Sequence, residues 1–181
     1  MKAASQKEIQ AELENLSQQE LMTICLRLAR FKKENKELLT WLLFESFDEH
    51  AFIENIKKEI SEEFTTMNAS SLYFVKKSGR KILRMIGKFS RYTGSAELEI
   101  QLLLHFCRLM KEKVVHIAKD PVLLNLYNNQ VKKIEKAVAK LHEDLQYDYR
   151  RELDALTIEM KPASTASKII SYLKNKKNAK V

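Results

Sequence analysis

An all-α fold is predicted from three features of the 181-residue sequence. It contains only three glycines and two prolines, far below the roughly 12% that these two residue types usually make up together. Leu, Lys, Glu and Ala are abundant, and these residues lose little side-chain freedom in a helix. No run of alternating apolar and polar residues also carries hairpin turn chemistry. We therefore expect seven to eight helices in antiparallel hairpins, arranged as a HEAT-like superhelix or as an irregular helical bundle.

The first third of the chain shows helix start signals and one strongly apolar stretch. A first helix is expected over about residues 5–14, and Ser17-Gln18-Gln19-Glu20 has the pattern of a capping box that starts a second helix. Residues 30–37 are polar and indicate a break. The stretch LLTWLLFESF, residues 38–47, is apolar on nearly all sides, which predicts a central helix that is buried on most of its surface.

The middle of the chain predicts three further helices. Asp48 is placed to cap the first of them, and residues 65–71 have the composition of a loop. A basic stretch over 72–92 follows, and Thr93-Gly94-Ser95 stops it with Gly94 as a left-handed cap. The next helix is expected over about 95–118. The buried face of the helix after Asp48 is predicted to consist of Phe52, Ile53, Ile56, Ile60 and Phe64.

A single long helix is predicted from Asp120-Pro121 to about residue 160, because Pro is favoured at the first helical position. Its apolar residues step by three and four, which gives a seam suited to packing along another helix. Pro162 ends this helix, so we expect one domain over 1–161, with a linker, a short basic helix and a tail over 162–181. The seam begins with Leu124, Tyr127, Val131, Ile134, Val138, Leu141 and Leu145.

Two segments of the chain echo each other. SQQELMTICLRLARFKKE begins at Ser17 and SAELEIQLLLHFCRLMKE begins at Ser95, and both share the opening Ser, the apolar spacing and the closing Lys-Glu. They lie 78 residues apart, close to two repeats of about 40 residues. Over roughly residues 17–160 the architecture resembles that of HEAT and armadillo repeat proteins. The resemblance implies stacked helical hairpins and assigns no binding residue.

The net charge of +8 is unevenly distributed. Residues 64–96 carry seven cationic and no acidic side chains, and residues 161–181 carry six and none. By contrast, residues 1–63 have a net charge of −4 and residues 97–160 a net charge of −1. Such basic segments indicate a surface for an anionic partner or a solvated face.

On a helical wheel the stretch 72–92 divides into a cationic and an apolar face. At about 100° per residue, with Leu72 at the origin, all seven cations fall within an arc from about 40° to 180°. Tyr73 lies on the same arc, where its ring could stack on a base. We therefore predict a nucleic-acid or polyanion site. Its residues are Lys76, Lys77, Arg80, Lys81, Arg84, Lys88 and Arg91.

Three other interpretations of this stretch remain open. Its cations could pair with the acidic segment 45–63, as charges on a solvated helix face often do. It could lie on a membrane surface, which requires a free apolar face, or it could bind an acidic protein. The lysines of 161–181 could add a flexible arm to a polyanion site or simply serve as a solubilising tail.

No pattern of catalytic, metal-binding or cofactor-binding residues is found in the sequence. His105 and His116 share a helix face but lie about 16 Å apart, too far for one metal ion. Glycine-rich phosphate loops and nucleophile elbows are also missing. We therefore predict a protein that is not an enzyme, with no catalytic residue, no metal ligand and no cofactor.

The remaining features predict a cytoplasmic binding protein. Cys25 and Cys107 lie in apolar helical patterns typical of reduced thiols, and the first residues show no signal peptide. No apolar stretch has the ~20 residues of a membrane span, so we expect no integral membrane association. We predict a non-catalytic binding or scaffold protein whose ligand is nucleic acid or an acidic protein. The alternative is a protein–protein adaptor or a self-associating protein, with a homodimer formed through the 124–160 helix.

Overall fold

The computed structural model describes residues 2–114, 117 and 120–156. Over these residues the predicted all-α class is confirmed, with eight α-helices, one π-helical segment and no strand. In chain order the elements are α1 (Gln6–Glu14), α2 (Gln18–Phe31), α3 (Lys33–Thr40), the π-helical segment (Trp41–Glu45), α4 (Glu49–Thr65), α5 (Leu72–Thr93), α6 (Ala96–Lys113), α7 (Pro121–Val138) and α8 (Glu143–Asp154).

The chain divides into two compact units within α4. Unit 1 extends to Asn55 and unit 2 begins at Ile56. The single domain predicted over 1–161 stays a prediction. The linker, basic helix and tail predicted over 162–181 lie outside the described residues.

The helix starts of unit 1 follow the predicted capping chemistry. The Ser17 side chain accepts a hydrogen bond from the Glu20 amide, and the Glu20 carboxylate accepts one from the Ser17 amide, which completes a capping box at α2. The expected polar break over 30–37 is shorter than predicted. Only Lys32 lies outside the helices, in extended conformation, and α3 begins at the next residue.

The prediction of a buried central helix over 38–47 is wrong. Residues Trp41–Glu45 are π-helical, and no residue of α3 or of this segment is buried. Leu42, Leu43, Phe44 and Phe47 are between 51% and 84% exposed. Trp41 is half-buried and packs on Phe52 with ring centroids 6.2 Å apart. The apolar composition of this stretch therefore does not reflect burial within unit 1.

Helix α6 is the central element of unit 2. It packs against α5 and α7, and it receives side-chain contacts from α4 and α8. On the α4 side, His105 Nε2 lies 2.8 Å from Ser61 Oγ and 3.1 Å from the Lys57 carbonyl oxygen. On the α8 side, the Tyr149 hydroxyl donates to the Glu97 carboxylate. Its eight buried residues are Leu98, Ile100, Leu102, Leu103, Leu104, Phe106, Cys107 and Met110.

The predicted face of α4 is confirmed, while the predicted long helix after Pro121 is wrong. The Asp48 carboxylate accepts a hydrogen bond from the Ala51 amide, and all five residues predicted for the α4 face are buried. After Asp120, however, α7 ends at Val138 and a separate helix, α8, begins at Glu143. The two helices pack on each other.

The seam predicted along that long helix packs inside unit 2. Tyr127, Ile134 and Val138 are buried, as are Tyr149 and Leu153 of α8. The Tyr127 hydroxyl donates to the Leu156 carbonyl oxygen at 2.5 Å, and burial raises the pKa of that hydroxyl above its usual range. The homodimer predicted through this seam stays a prediction, and these seam residues are already used by the intramolecular core.

Candidate polyanion-binding site

Helix α5 carries the basic stretch and is continuous over its 22 residues. Gly94 follows it with φ 65° and donates its amide to the Ser90 carbonyl oxygen, as predicted for a left-handed cap. The buried positions fall on one face at helical spacing, so the predicted apolar arc is the packed side of the helix. These positions are Val75, Gly79, Ile82 and Ile86.

Gly79 lies where α5 meets the neighbouring helices. A Cβ atom at this position would be 3.8 Å from Leu126 Cδ2 and 4.0 Å from Phe106 Cζ. These are ordinary van der Waals distances, so a methyl group would fit without displacement of its neighbours. Gly79 is therefore buried against α6 and α7, and the opposite side of α5 faces solvent.

The two cations at the margins of the basic arc form ion pairs within unit 2. Lys76 Nζ lies 2.9 Å from an Asp120 carboxylate oxygen, and Lys81 Nζ lies 2.6 Å from a Glu63 carboxylate oxygen. The hydrogen bond from Lys76, followed by the one from the Leu123 amide, holds the pKa of Asp120 below its usual range. Lys76 and Lys81 thus connect α5 to the start of α7 and to the end of α4.

Five cations between these margins form a narrower row, here called the cationic stripe. Its members fall within about 80° of arc on the helical wheel and extend over roughly 21 Å of helix axis. The Arg84 Nε group donates to the Arg80 carbonyl oxygen at 3.4 Å, which keeps that side chain along the stripe. The stripe consists of Lys77, Arg80, Arg84, Lys88 and Arg91.

Four residues of the stripe are exposed and have no ion-pair partner in the part of the chain that the structure describes. They are Lys77, Arg80, Arg84 and Arg91. The fifth, Lys88, is half-buried, and its ammonium group lies 4.7 Å from the Phe89 ring centroid and 6.0 Å from that of Tyr92. The positive charge that the stripe presents to solvent is therefore that of its four exposed cations.

The electrostatic surroundings strengthen this positive surface. The first turn of α5 contains no acidic residue, and Ser71 makes no side-chain cap there. The positive end of the helix dipole is therefore not compensated by a local carboxylate. Because residues 64–96 contain no acidic side chain, the cations of the stripe have no carboxylate on their own helix.

The structure divides the seven predicted site residues into two groups. Lys81 pairs with Glu63, as the alternative of internal pairing with segment 45–63 predicts, but Lys76 pairs outside that segment. The four exposed stripe cations form no ion pair with either of these carboxylates or with any other described residue. The exposure of Leu72 and Phe74 beside Tyr73 at the start of α5 was not predicted; the three side chains are 40% to 67% exposed. Their position one turn before the first cation was the available signal.

A groove of about 910 Å³ between α6 and α8 was also missed. It is lined by three acidic and three basic side chains, so it offers no net charge to an anion. Arg108 pairs with Glu152 across it, and the Lys111 ammonium group donates to the Ala155 carbonyl oxygen. Its charged lining is Arg108, Lys111, Glu112, Asp148, Arg151 and Glu152.

Within residues 2–114, 117 and 120–156, no group of three or more His, Cys, Asp or Glu side chains is arranged to hold a metal ion. The Ser61 hydroxyl next to His105 donates to the Lys57 carbonyl oxygen, so this pair joins α4 to α6. No helix in the same part of the chain combines the length and the apolar character needed to cross a bilayer.

Comparisons of the chain with protein-family models, with curated proteins and with solved structures found no match. The resemblance to HEAT and armadillo repeat proteins stays a prediction about architecture. The candidate site is therefore defined by its own geometry: a row of solvent-facing cations on a helix whose opposite face lies in the core.

Proposed function

We propose that this protein is a non-catalytic binding protein that takes nucleic acid or another polyanion along the cationic stripe of α5. One observation carries the proposal. The two cations at the margins of the arc form ion pairs, whereas Lys77, Arg80, Arg84 and Arg91 share one solvent-facing row and form no ion pair in the part of the chain that the structure describes. Several unpaired cations gathered on one helix face form the kind of basic stripe that attracts a polyanion.

The physical basis of binding is the release of counterions. Each phosphate that a Lys or Arg neutralises frees condensed cations from the nucleic acid, so the affinity falls as salt rises. For four or five phosphates the log–log slope against salt should be about −4. The reduced thiols expected of Cys25 and Cys107 are consistent with a cytoplasmic location, which is part of the proposal.

Fluorescence anisotropy with labelled DNA and RNA at 50 and 200 mM salt tests the proposal. The affinity of the wild type should fall on the order of 100-fold between these conditions. The double variant Arg80→Glu, Arg84→Glu should lose a similar factor at low salt, for all nucleic-acid sequences alike, because the contacts are to phosphate.

The matched control is Lys132→Glu, Lys136→Glu. These lysines are also exposed and four residues apart on a helix, α7, and they form no ion pair among the described residues. The change in net charge is the same in the two double variants, which differ in position and in the cation that is replaced. Equal losses in the two double variants, or no salt-sensitive binding by the wild type, would exclude the stripe as the binding site.

A second candidate function, protein–protein interaction through unit 1, is favoured by a separate observation. No residue between 2 and 51 is buried, and eleven large apolar side chains between Ile9 and Phe47 are 36% to 84% exposed. Exposed apolar surface on this scale marks an interaction site. The alternatives of an adaptor and of a self-associating protein both require such a surface, and a second copy of this chain is the first partner to test. A molecular mass in solution that rises with protein concentration would support self-association.

A further inference from the structure

Three apolar side chains are exposed at the start of α5, directly before the cationic stripe. Tyr73 is 67% exposed, Leu72 41% and Phe74 40%. The Tyr73 and Phe74 rings touch edge to face, with centroids 5.4 Å apart and planes at 73°. A contiguous exposed apolar patch is typical of interaction sites, and core packing does not account for these three side chains.

Tyr73 is aligned with the cationic stripe. On a helix, residues four apart lie one turn above each other, and Lys77 and then Arg80 and Arg84 continue the row that begins with Tyr73. On the wheel Tyr73 falls at about 100°, within the arc of the stripe. A ring therefore stands at one end of a row of cations on the same solvent-facing surface.

We propose that the ligand of the stripe is single-stranded nucleic acid, with one base stacked on Tyr73 and the following phosphates along Lys77, Arg80 and Arg84. This inference rests on the proposed function. A positively charged groove or row with an aromatic stacking platform is the usual composition of single-strand binding surfaces. In a duplex the base faces are covered by their neighbours, so Tyr73 would have no face to stack on.

The test compares three probes, of which the two single strands share one backbone charge and the duplex carries about twice that charge. They are a labelled single strand of about 20 nucleotides, the matching duplex, and an abasic strand of equal length that presents phosphates without bases. The wild type should bind the single strand roughly tenfold more tightly than the abasic strand. Tyr73→Ala should remove this difference and leave the affinity for the abasic strand unchanged, while Tyr73→Phe, which keeps a ring, should preserve it.

Tyr147→Ala is the matched control, because Tyr147 is 75% exposed on α8 and lies outside the stripe. It should bind all three probes as the wild type does. Circular dichroism of the variants checks that the helices are retained, which is expected because both tyrosines are exposed.

Failure of the inference and failure of the proposed function give different results. Equal wild-type affinities for the single strand and the abasic strand, unchanged in Tyr73→Ala, would overturn the stacking role and leave the stripe as a polyanion site. A lack of salt-sensitive binding to any probe, the abasic strand included, would overturn both. Binding to anionic phospholipid vesicles that depends on Tyr73, together with no preference for bases, would overturn the inference in favour of a membrane surface.

Discussion

Helix α6 buries eight side chains, whereas no residue of α2 is buried. Yet the two helices echo each other in sequence at an offset of 78 residues, from the opening Ser17 and Ser95 to the closing Lys-Glu pairs. Both serines cap their helices through a hydrogen bond from the amide three residues on. The local signals therefore form the same kind of helix in both regions, and the difference lies in what surrounds each one.

The surroundings explain the contrast. Helix α6 is contacted within unit 2 by α5 and α7, by side chains of α4 and by side chains of α8. Helix α2 packs on α3, and the Asn35 side chain donates to the Leu28 carbonyl oxygen near its end. An apolar stripe indicates which face of a helix gains stability from burial, but it does not identify the helix or partner that covers that face. The uncovered apolar residues of α2 are consistent with a partner surface.

The largest expected effect compares two leucines at equivalent positions of the echo. Leu104 is 1% exposed and Leu26 is 49% exposed. Leu104→Ala should lower the free energy of unfolding by about 2–5 kcal/mol, since it removes buried methyl groups and leaves a cavity. Leu26→Ala should change it by no more than about 0.5 kcal/mol in dilute solution. Urea unfolding followed by circular dichroism measures both.

The same two variants test whether a partner covers α2 when the protein assembles. If a second copy of the chain buries Leu26, the cost of Leu26→Ala should rise with protein concentration, because the dissociated form gains no contact from this side chain. Equal losses in the two variants at low concentration would contradict the environments described for α2 and α6.

The two cysteines give the next effect, a difference in thiol reactivity. Cys25 on α2 is exposed and Cys107 on α6 is buried, where burial raises the thiol pKa to about 12. Because the thiolate is the reactive form, Cys107 should be labelled by a maleimide at least about 1,000-fold more slowly than Cys25, through rare opening of the fold. Mass spectrometry of single-cysteine variants, Cys25→Ser and Cys107→Ser, measures each rate.

The dependence of the Cys25 labelling rate on protein concentration distinguishes a second copy of the chain from a different protein as the partner of unit 1. Self-association over α2 should slow the labelling of Cys25 as the protein concentration rises, with Cys107 slow throughout. A Cys25 rate that is independent of concentration over the range in which the mass is measured would exclude a second copy as the cover of this helix and would favour a different protein.

Local signals along the chain predicted most of the fold because they act over a few residues. The caps at Ser17, Ser95 and Asp120 and the left-handed Gly94 were all placed correctly. The break between α7 and α8 was missed because residues 139–142 contain neither Gly nor Pro, and the seam spacing continues through Leu141. The turn lets α8 return to α6 and places Tyr149 on Glu97, a contact between residues far apart in the sequence.

The candidate site shows the same limit. A helical wheel predicts the cationic face of α5, because the spacing of the residues alone fixes their direction. It does not predict which of these cations form ion pairs with carboxylates of other helices. Asp120 lies 44 residues after Lys76, and Glu63 lies 18 residues before Lys81, so both ion pairs depend on how α4, α5 and α7 are arranged. The division into paired margins and an exposed stripe therefore required the structure.

The smallest effect is expected at the helix starts and depends on pH. The Ser17 hydroxyl and amide both donate to the Glu20 carboxylate, at 2.7 and 2.8 Å, and hold the pKa of Glu20 below its usual range. A carboxyl whose pKa is lowered by folding contributes stability above its unfolded pKa and loses it as the pH falls through the folded value. The capping box of α2 should therefore open in acid.

In α6 the Ser95 amide donates to the neutral Thr93 hydroxyl, so it has no carboxylate acceptor to lose. In an NMR titration from about pH 6 to about pH 2, the Ser17 amide shift should follow the Glu20 carboxyl, and the Ser95 amide should change less. Ser17→Ala should raise the Glu20 midpoint towards its ordinary value, and an unchanged midpoint would show that the box does not form in solution.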